Sequence, residues 1–203
     1  MNRKQFLVNS TLLAFSVSAC ATVFKKNGKN ITESNNCETT NDILGPFYRK
    51  NSPERKDLTL SNSIGNQITI KGKVYKSDCT SVIENAVIEI WHCNPNGEYD
   101  NTSPEFKYRG QQKSDNNGAY QFKTILPGKY LNGDLYRPAH IHFRIKHSKS
   151  KELISQIYFQ GDPHIIKDPW ASKTEATQRI LPIILEDTNG SISINFNIYL
   201  IDK

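Results

Sequence analysis

Two histidines, His140 and His142, stand one residue apart in YRPAHIHF (136–143), inside a run that otherwise alternates like a strand, with Ile141 between them and Phe143 and Ile145 beyond. Successive side chains on a strand point to opposite faces, so both imidazoles project from one face and can share one metal ion. Alone, an H-x-H pair also fits two surface histidines or two hydrogen-bonded core histidines, because short motifs match often. A metal needs more donors, and two tyrosines stand where they could supply them. Tyr99 closes WHCNPNGEY after the apolar run AVIEIW, and Tyr130 closes TILPGKY after AYQFKT. Each falls at the C-terminal edge of a candidate strand rather than within its packed face. Singly, such a tyrosine is an ordinary loop residue with a solvated hydroxyl. Followed by R-P-A-H-I-H, the pair makes a candidate set of two phenols and two imidazoles.

LGPFYR (44–49), IEIWHCNPNGEY (88–99), SDNNGAYQFKTILPGKY (114–130), RPAHIHF (137–143) and SQIYFQGDP (155–163), in this order, resemble the intradiol ring-cleaving dioxygenases. That family includes catechol 1,2-dioxygenases and protocatechuate 3,4-dioxygenases. The resemblance runs from about residue 40 to about residue 200, and its R-P-A-H-x-H element is specific. It implies an all-β domain and a non-haem ferric ion, Fe(3+), held by Tyr99, Tyr130, His140 and His142. It also implies that a catechol binds as a dianion and displaces the Tyr130 phenolate, so that Tyr130 serves as both ligand and base. Oxygen then attacks the electron-rich ring, and opening through a cyclic anhydride gives a cis,cis-muconate. Arg137 matches an arginine that stabilises negative charge on the bound ring, and Gln156 a glutamine that donates to substrate or intermediate oxygens. Leu44, Gly45, Pro46 and Phe47 match a segment lining one wall of the pocket.

The residue types suit that chemistry. Ferric iron is a hard cation that favours anionic oxygen, and a bound tyrosine must lose a proton it normally keeps to about pH 10. A guanidinium stays charged beside a substrate that takes protons. Simpler roles exist for the same residues: a salt bridge for Arg137, a half-exposed strand position for Gln156, ordinary turn and core positions for Pro46 and Phe47. A fold by itself implies no chemistry, so the competing reading is a non-catalytic β-sandwich lipoprotein, a binding or assembly module. Ten residues lead from Tyr130 to His140, a short form of a loop that borders the pocket in the resembled family, which leaves the ring substituents open. The helical segment through which catechol 1,2-dioxygenases dimerise has no match, so that assembly is not expected to carry over.

Strands must position these residues, and period two dominates: ITIKGKVYK (68–76), AVIEIW (86–91), AYQFKT (119–124), AHIHFRIK (139–146), LISQIYF (153–159) and SISINFNIYL (191–200). The last sets Ile192, Ile194, Phe196, Ile198 and Leu200 on one face. Turn chemistry such as SDNNG, PGKYLNGD, GDP and DTNG separates the runs. Only KTEATQR (173–179) has helical composition. Many short strands and Gly/Asn turns predict a single β-sandwich, residues 41–203, with one open end where long loops gather to form the metal site.

The first residues read differently. MNRKQ is basic, FLVNSTLLAFSVSA is apolar but too short to span a bilayer, and Cys20 follows Ser18 and Ala19, so residues 1–19 read as an export signal. VSAC resembles the lipobox of bacterial lipoproteins, with Cys20 lipidated. NRKQFL resembles a twin-arginine motif with Lys4 in the second arginine place, which leaves the export route open. An ordinary signal peptide with a soluble product is the alternative. Residues 20–40 are polar and rich in Asn, Lys and Thr, which predicts a flexible tether. The cysteines near the start of the domain, with WHCNPNG, resemble the exported branch of the dioxygenase family. The expectation is a lipid-anchored protein facing the periplasm or cell exterior. Cys37, Cys79 and Cys93 then predict one disulfide and one free thiol, pairing open, and lack the C-x-x-C spacing of a zinc or redox site. The formal net charge of +6 falls when Arg3 and Lys4 leave with the signal, and no Lys/Arg cluster marks a nucleic-acid module. The expected partners are a catechol and O2.

Overall fold

The computed structural model describes residues 37–60, 65–186 and 191–203. The signal segment, Cys20 and the tether up to residue 36 lie outside the described residues. Regular structure is almost all strand: β1 (Gln67–Tyr75), β2 (Val87–Trp91), β3 (Arg109–Lys113), β4 (Ala119–Ile125), β5 (Tyr130–Asn132), β6 (Leu135–Arg137), β7 (His140–Lys146), β8 (Leu153–Phe159), β9 (Ile180–Leu181), β10 (Ile184–Leu185), β11 (Ile192–Asn195) and β12 (Ile198–Tyr199). The helical composition near 173–179 becomes a 3-10 helix, Thr174–Arg179, after a shorter one at Ile165–Lys167.

Two sheets result, as the alternation predicts. In one, β1 runs antiparallel to β4 on one side and parallel to β11 and β12 on the other, with β10 outside β11. The other has the order β3-β2-β7-β8-β9, and β5 and β6 form a separate hairpin. Between the sheets, Ile88, Ile90, Ile141, Phe143, Ile145 and Ile157 pack with Ile68, Ile70, Phe122, Ile194 and Phe196 in one buried cluster. Each such side chain contributes about 1.5–3 kcal/mol of apolar burial. That layer fixes the register, since a slip of one residue would turn it outward. With Ile141 and Phe143 turned into the core, His140 and His142 must face the other way. The site therefore lies on the outer face of the second sheet, and loops cover that face rather than an end of the sandwich.

The expected single strand over 191–200 is two, β11 and β12, with the same register against β1 on both sides of the break. At the break the Asn197 side chain accepts the Lys73 N–H at 3.0 Å, and the Tyr120 hydroxyl donates to Phe196 O at 2.6 Å. Side chains thus take over partners that ladder bonds would otherwise supply.

Cys37 and Cys79 form the disulfide, and Cys93 is free and buried. Residues 37–40, the end of the expected tether, are bonded into the domain. Thr39 exchanges two hydrogen bonds with Tyr199, one from its own N–H at 3.1 Å and one to its hydroxyl oxygen at 2.9 Å. Among the described residues no helix is long and apolar enough to cross a membrane.

Candidate metal centre

β7 is the scaffold of the site. His142 stands opposite Trp91 of β2 and Gln156 of β8, and His140 opposite Tyr158 of β8. Directly paired residues share a face, so the two histidines lie among Trp91, Gln156 and Tyr158. The Trp91 and His142 rings stack at 4.8 Å and 6°. His140 Nδ1 lies 2.7 Å from Pro138 O, which can only accept, so this nitrogen carries the proton and Nε2 presents a lone pair. The turn before β7 is fixed by Asp162, whose Oδ2 accepts the Ala139 N–H at 2.8 Å.

Two loops bring the tyrosines. After β2, the Asn94 side chain accepts the N–H groups of Asn96 and Glu98, both at 2.9 Å, and its carbonyl accepts from Gly128 at 3.0 Å. Those bonds join the Tyr99 loop to the chain before Tyr130. Gly97 allows the close approach: its φ is +86°, and a Cβ there would sit 2.4 Å from Lys129 O. Tyr130 opens β5 and pairs with Arg137 of β6, which explains how residues so different in role come side by side.

The donor atoms converge. The Tyr99 hydroxyl lies 3.3 Å from His140 Nε2 and 3.2 Å from His142 Nε2. The Tyr130 ring is 5.7 Å from that of Tyr99 and 5.6 Å from that of His140. Phe47 stacks on Tyr99 at 4.3 Å and meets Tyr130 edge-on at 5.8 Å. Gly45, with φ +74°, passes so close to His142 that a Cβ would stand 3.0 Å from Cε1. Leu44 is half-buried and Pro46 exposed. The segment 44–47 thus reaches the histidines and tyrosines through Gly45 and Phe47.

These residues fit a hard metal ion. The phenol oxygen and the two imidazole Nε2 atoms, gathered within 3.3 Å, are donor types that such a cation takes, and His142 Nδ1 is buried with no hydrogen-bond partner. Among the described residues no group of three or more His, Cys, Asp and Glu could hold a metal, and the candidate set is a mixed one of two histidines and two tyrosines. Burial, with the Arg137 charge adding to it, lowers His140 to about 3. Burial and the neighbouring His140 hold His142 well below the usual histidine range. Both are therefore neutral, the form that ligates. Burial, reinforced by Cys93 and Tyr130, pushes the Tyr99 phenol well up, so a phenolate forms there only beside a cation. His92, by contrast, is structural: Nδ1 donates to Cys93 O and Nε2 accepts from the Thr124 hydroxyl, both at 2.7 Å.

Arg137 is buried beside the cluster, with Nη1 3.5 Å from His140 Nε2. It also forms the salt bridge that was its simpler reading, Nε to Asp168 Oδ2 at 2.8 Å. Gln156 is fully buried rather than half-exposed. Its Nε2 donates to Ile43 O at 2.8 Å, and its Oε1 accepts from Arg137 Nη2 and the Tyr158 hydroxyl, both at 3.2 Å. With both ends of its amide engaged inside the protein, it joins Ile43, just before the 44–47 segment, to Arg137. Asp168 and Tyr158 were not legible as site residues, since they reach Arg137 from 31 and 21 residues along the chain.

A family model described as a dioxygenase matches residues 43–201. A chlorocatechol 1,2-dioxygenase of Cupriavidus pinatubonensis (strain JMP 134 / LMG 1197) is 30% identical over 178 residues, which cover 78% of this chain and 68% of the relative. An intradiol ring-cleavage dioxygenase of Aspergillus niger is 29% identical over 192 residues, covering 84% of this chain and 61% of that protein. Among solved structures, the dioxygenase domain of a dioxygenase carbohydrate-binding protein fusion from Streptomyces sp. SirexAA-E superposes with a TM-score of 0.71 at 25% identity, over 82% of this chain and 99% of that one.

Proposed function

Because the chain belongs to the intradiol ring-cleaving dioxygenases, a family of oxidoreductases, we propose that it holds a non-haem ferric ion through Tyr99, Tyr130, His140 and His142. With it, the protein opens a catechol-type ring between the two hydroxyl-bearing carbons by reaction with O2, yielding a cis,cis-muconate-type product. The observation that carries this reading is the convergence of the Tyr99 hydroxyl with two imidazole nitrogens within 3.3 Å, with Tyr130 and Arg137 alongside.

A bound ferric ion would supply Lewis acidity, making phenol and catechol protons easy to lose. The remaining work falls to the chain. Tyr130, half-buried at the start of the hairpin, would be held by such an ion as a phenolate, and its oxygen is then the base that takes a catechol proton. Arg137, opposite it, keeps its charge: burial would weaken it, but Asp168 more than offsets this and holds the guanidinium above its ordinary value. That fixed positive charge favours the anionic ring. Phe47, lying flat on Tyr99, offers an apolar wall for an aromatic ring and keeps water from the ligands.

The test is oxygen uptake by iron-loaded protein with catechol, hydroxyquinol and protocatechuate and no external reductant, for wild type and Arg137→Gln. Losing one preorganised charge costs about 3 kcal/mol of barrier, roughly a hundredfold in rate. Arg137→Gln should thus retain iron and turn over about a hundredfold more slowly. Wild-type turnover by the iron-replete variant, or no uptake by wild type with any of the three, would overturn the reading.

A further inference from the structure

One short turn holds Arg137 on its edge and on its face. Asp168, Pro169, Trp170 and Ala171 lie between the two 3-10 helices. Asp168 Oδ2 accepts from Arg137 Nε at 2.8 Å, and Oδ1 accepts from Nη2 at 3.4 Å. The guanidinium carbon sits 4.4 Å from the centre of the Trp170 ring. The carboxylate is itself fixed, because Oδ1 also accepts the N–H of Trp170 at 3.0 Å and of Ala171 at 2.7 Å. Gln156 Oε1 and the Tyr158 hydroxyl take Nη2 as well, at 3.2 and 3.3 Å. Nη1 is the nitrogen turned to the candidate ligands, beside His140 Nε2.

We propose that Asp168 and Trp170 are positioning residues for catechol turnover, fixing the plane of the Arg137 guanidinium so that its Nη1 edge faces the substrate side of the ligand cluster. The inference rests on the reading of this cluster as the catechol site. Exposure distinguishes the contact from a surface ion pair, which contributes little: the side chains of Arg137 and Asp168 are 3% and 0% exposed. A buried pair also adds little net stability compared with apolar packing. A side-on carboxylate and a stacked ring do constrain how an arginine's rigid fork points. Misdirecting such a group by about an ångström is enough to slow a reaction strongly.

The experiment is a double-mutant cycle on the full, iron-loaded chain, with two readouts: kcat/KM for catechol, and the affinity for 4-nitrocatechol followed by its visible spectrum without oxygen. Asp168→Asn should lower kcat/KM by about tenfold or more and weaken nitrocatechol binding, with iron content unchanged. In an Arg137→Gln background the same substitution should change both by less than about twofold, because the group through which it acts is gone. Trp170→Ala should repeat the pattern and Trp170→Phe should recover most turnover, which keeps the question decidable if Asp168→Asn fails to fold. Equal losses in both backgrounds, or full turnover by the iron-replete variants, would overturn the proposal. Nitrocatechol binding that depends on Asp168 only when Arg137 is present, in a wild type that consumes no oxygen, would sustain the positioning role and overturn the turnover reading.

Discussion

Tyr99 carries the heaviest demands of any side chain in the site. Its hydroxyl faces two imidazole nitrogens, its ring lies under Phe47, and burial raises its pKa. Tyr99→Phe keeps the ring and removes the oxygen, so the fold should survive while the visible tyrosinate-to-iron band of iron-loaded protein weakens or disappears. His142→Ala should lose iron outright. Absorption spectra and metal analysis of both variants decide this, and full colour and iron in both would contradict the ligand set. At this scale the sequence was most informative for the candidate ligands. His140 and His142 are legible because strand period puts them on one face, and Tyr99 and Tyr130 because each closes a loop that follows an apolar run, although Tyr130 opens β5 rather than edging β4. Asp168 was not, because its partner is 31 residues away and GDPHIIKDPW reads locally as turns. Gln156 was legible in place but not in role, since its amide bonds reach a loop 113 residues earlier.

The loop from Tyr99 to β3 shows how an element holds a candidate ligand. Asp100 accepts from the Ser103 N–H at 2.9 Å, the Ser103 hydroxyl at 2.6 Å and the Lys107 N–H at 2.7 Å. Burial would raise its pKa, but these bonds prevail and lower it to about 2. The folded value lies below the ordinary one near 4, so the stability it contributes is complete above about pH 4 and is lost as pH falls through about 2. Between those limits the unfolded chain binds a proton that the folded chain refuses. Asp100→Asn should therefore remove on the order of 2 kcal/mol near neutrality and flatten the acid decline of Tm over that window. Parallel Tm-against-pH curves for variant and wild type would contradict this. The core strands were legible from alternation, while β5 and β6 were not. PGKYLNGD looks like plain turn sequence, and these three-residue strands are a hairpin closed at Gly133, φ +63°, in which Tyr130, Leu131 and Asn132 pair with Arg137, Tyr136 and Leu135. The break between β11 and β12 depends on Asn197 reaching Lys73, which no local pattern announces.

Across the whole molecule, the disulfide ties the segment leading to the 44–47 wall to the turn after β1. Cysteine number alone predicted one bridge and one thiol, but only the docking of residues 37–40 decides the pair. Cys37 and Cys79 are 42 residues apart, and closing such a loop contributes about 4 kcal/mol by restricting the unfolded chain. Replacing both by serine should lower Tm by about 10 °C. Calorimetry tests this, and a shift under about 2 °C would contradict it. Cys93 should stay inert throughout, since burial pushes its thiol up to about 12. The product that iron-loaded protein forms from catechol and oxygen without added reductant decides whether the proposed ring cleavage occurs. Equimolar uptake of oxygen and catechol and a cis,cis-muconate-type dicarboxylate are expected. A semialdehyde from cleavage beside the diol, or no ring opening by iron-replete protein, would contradict that reading.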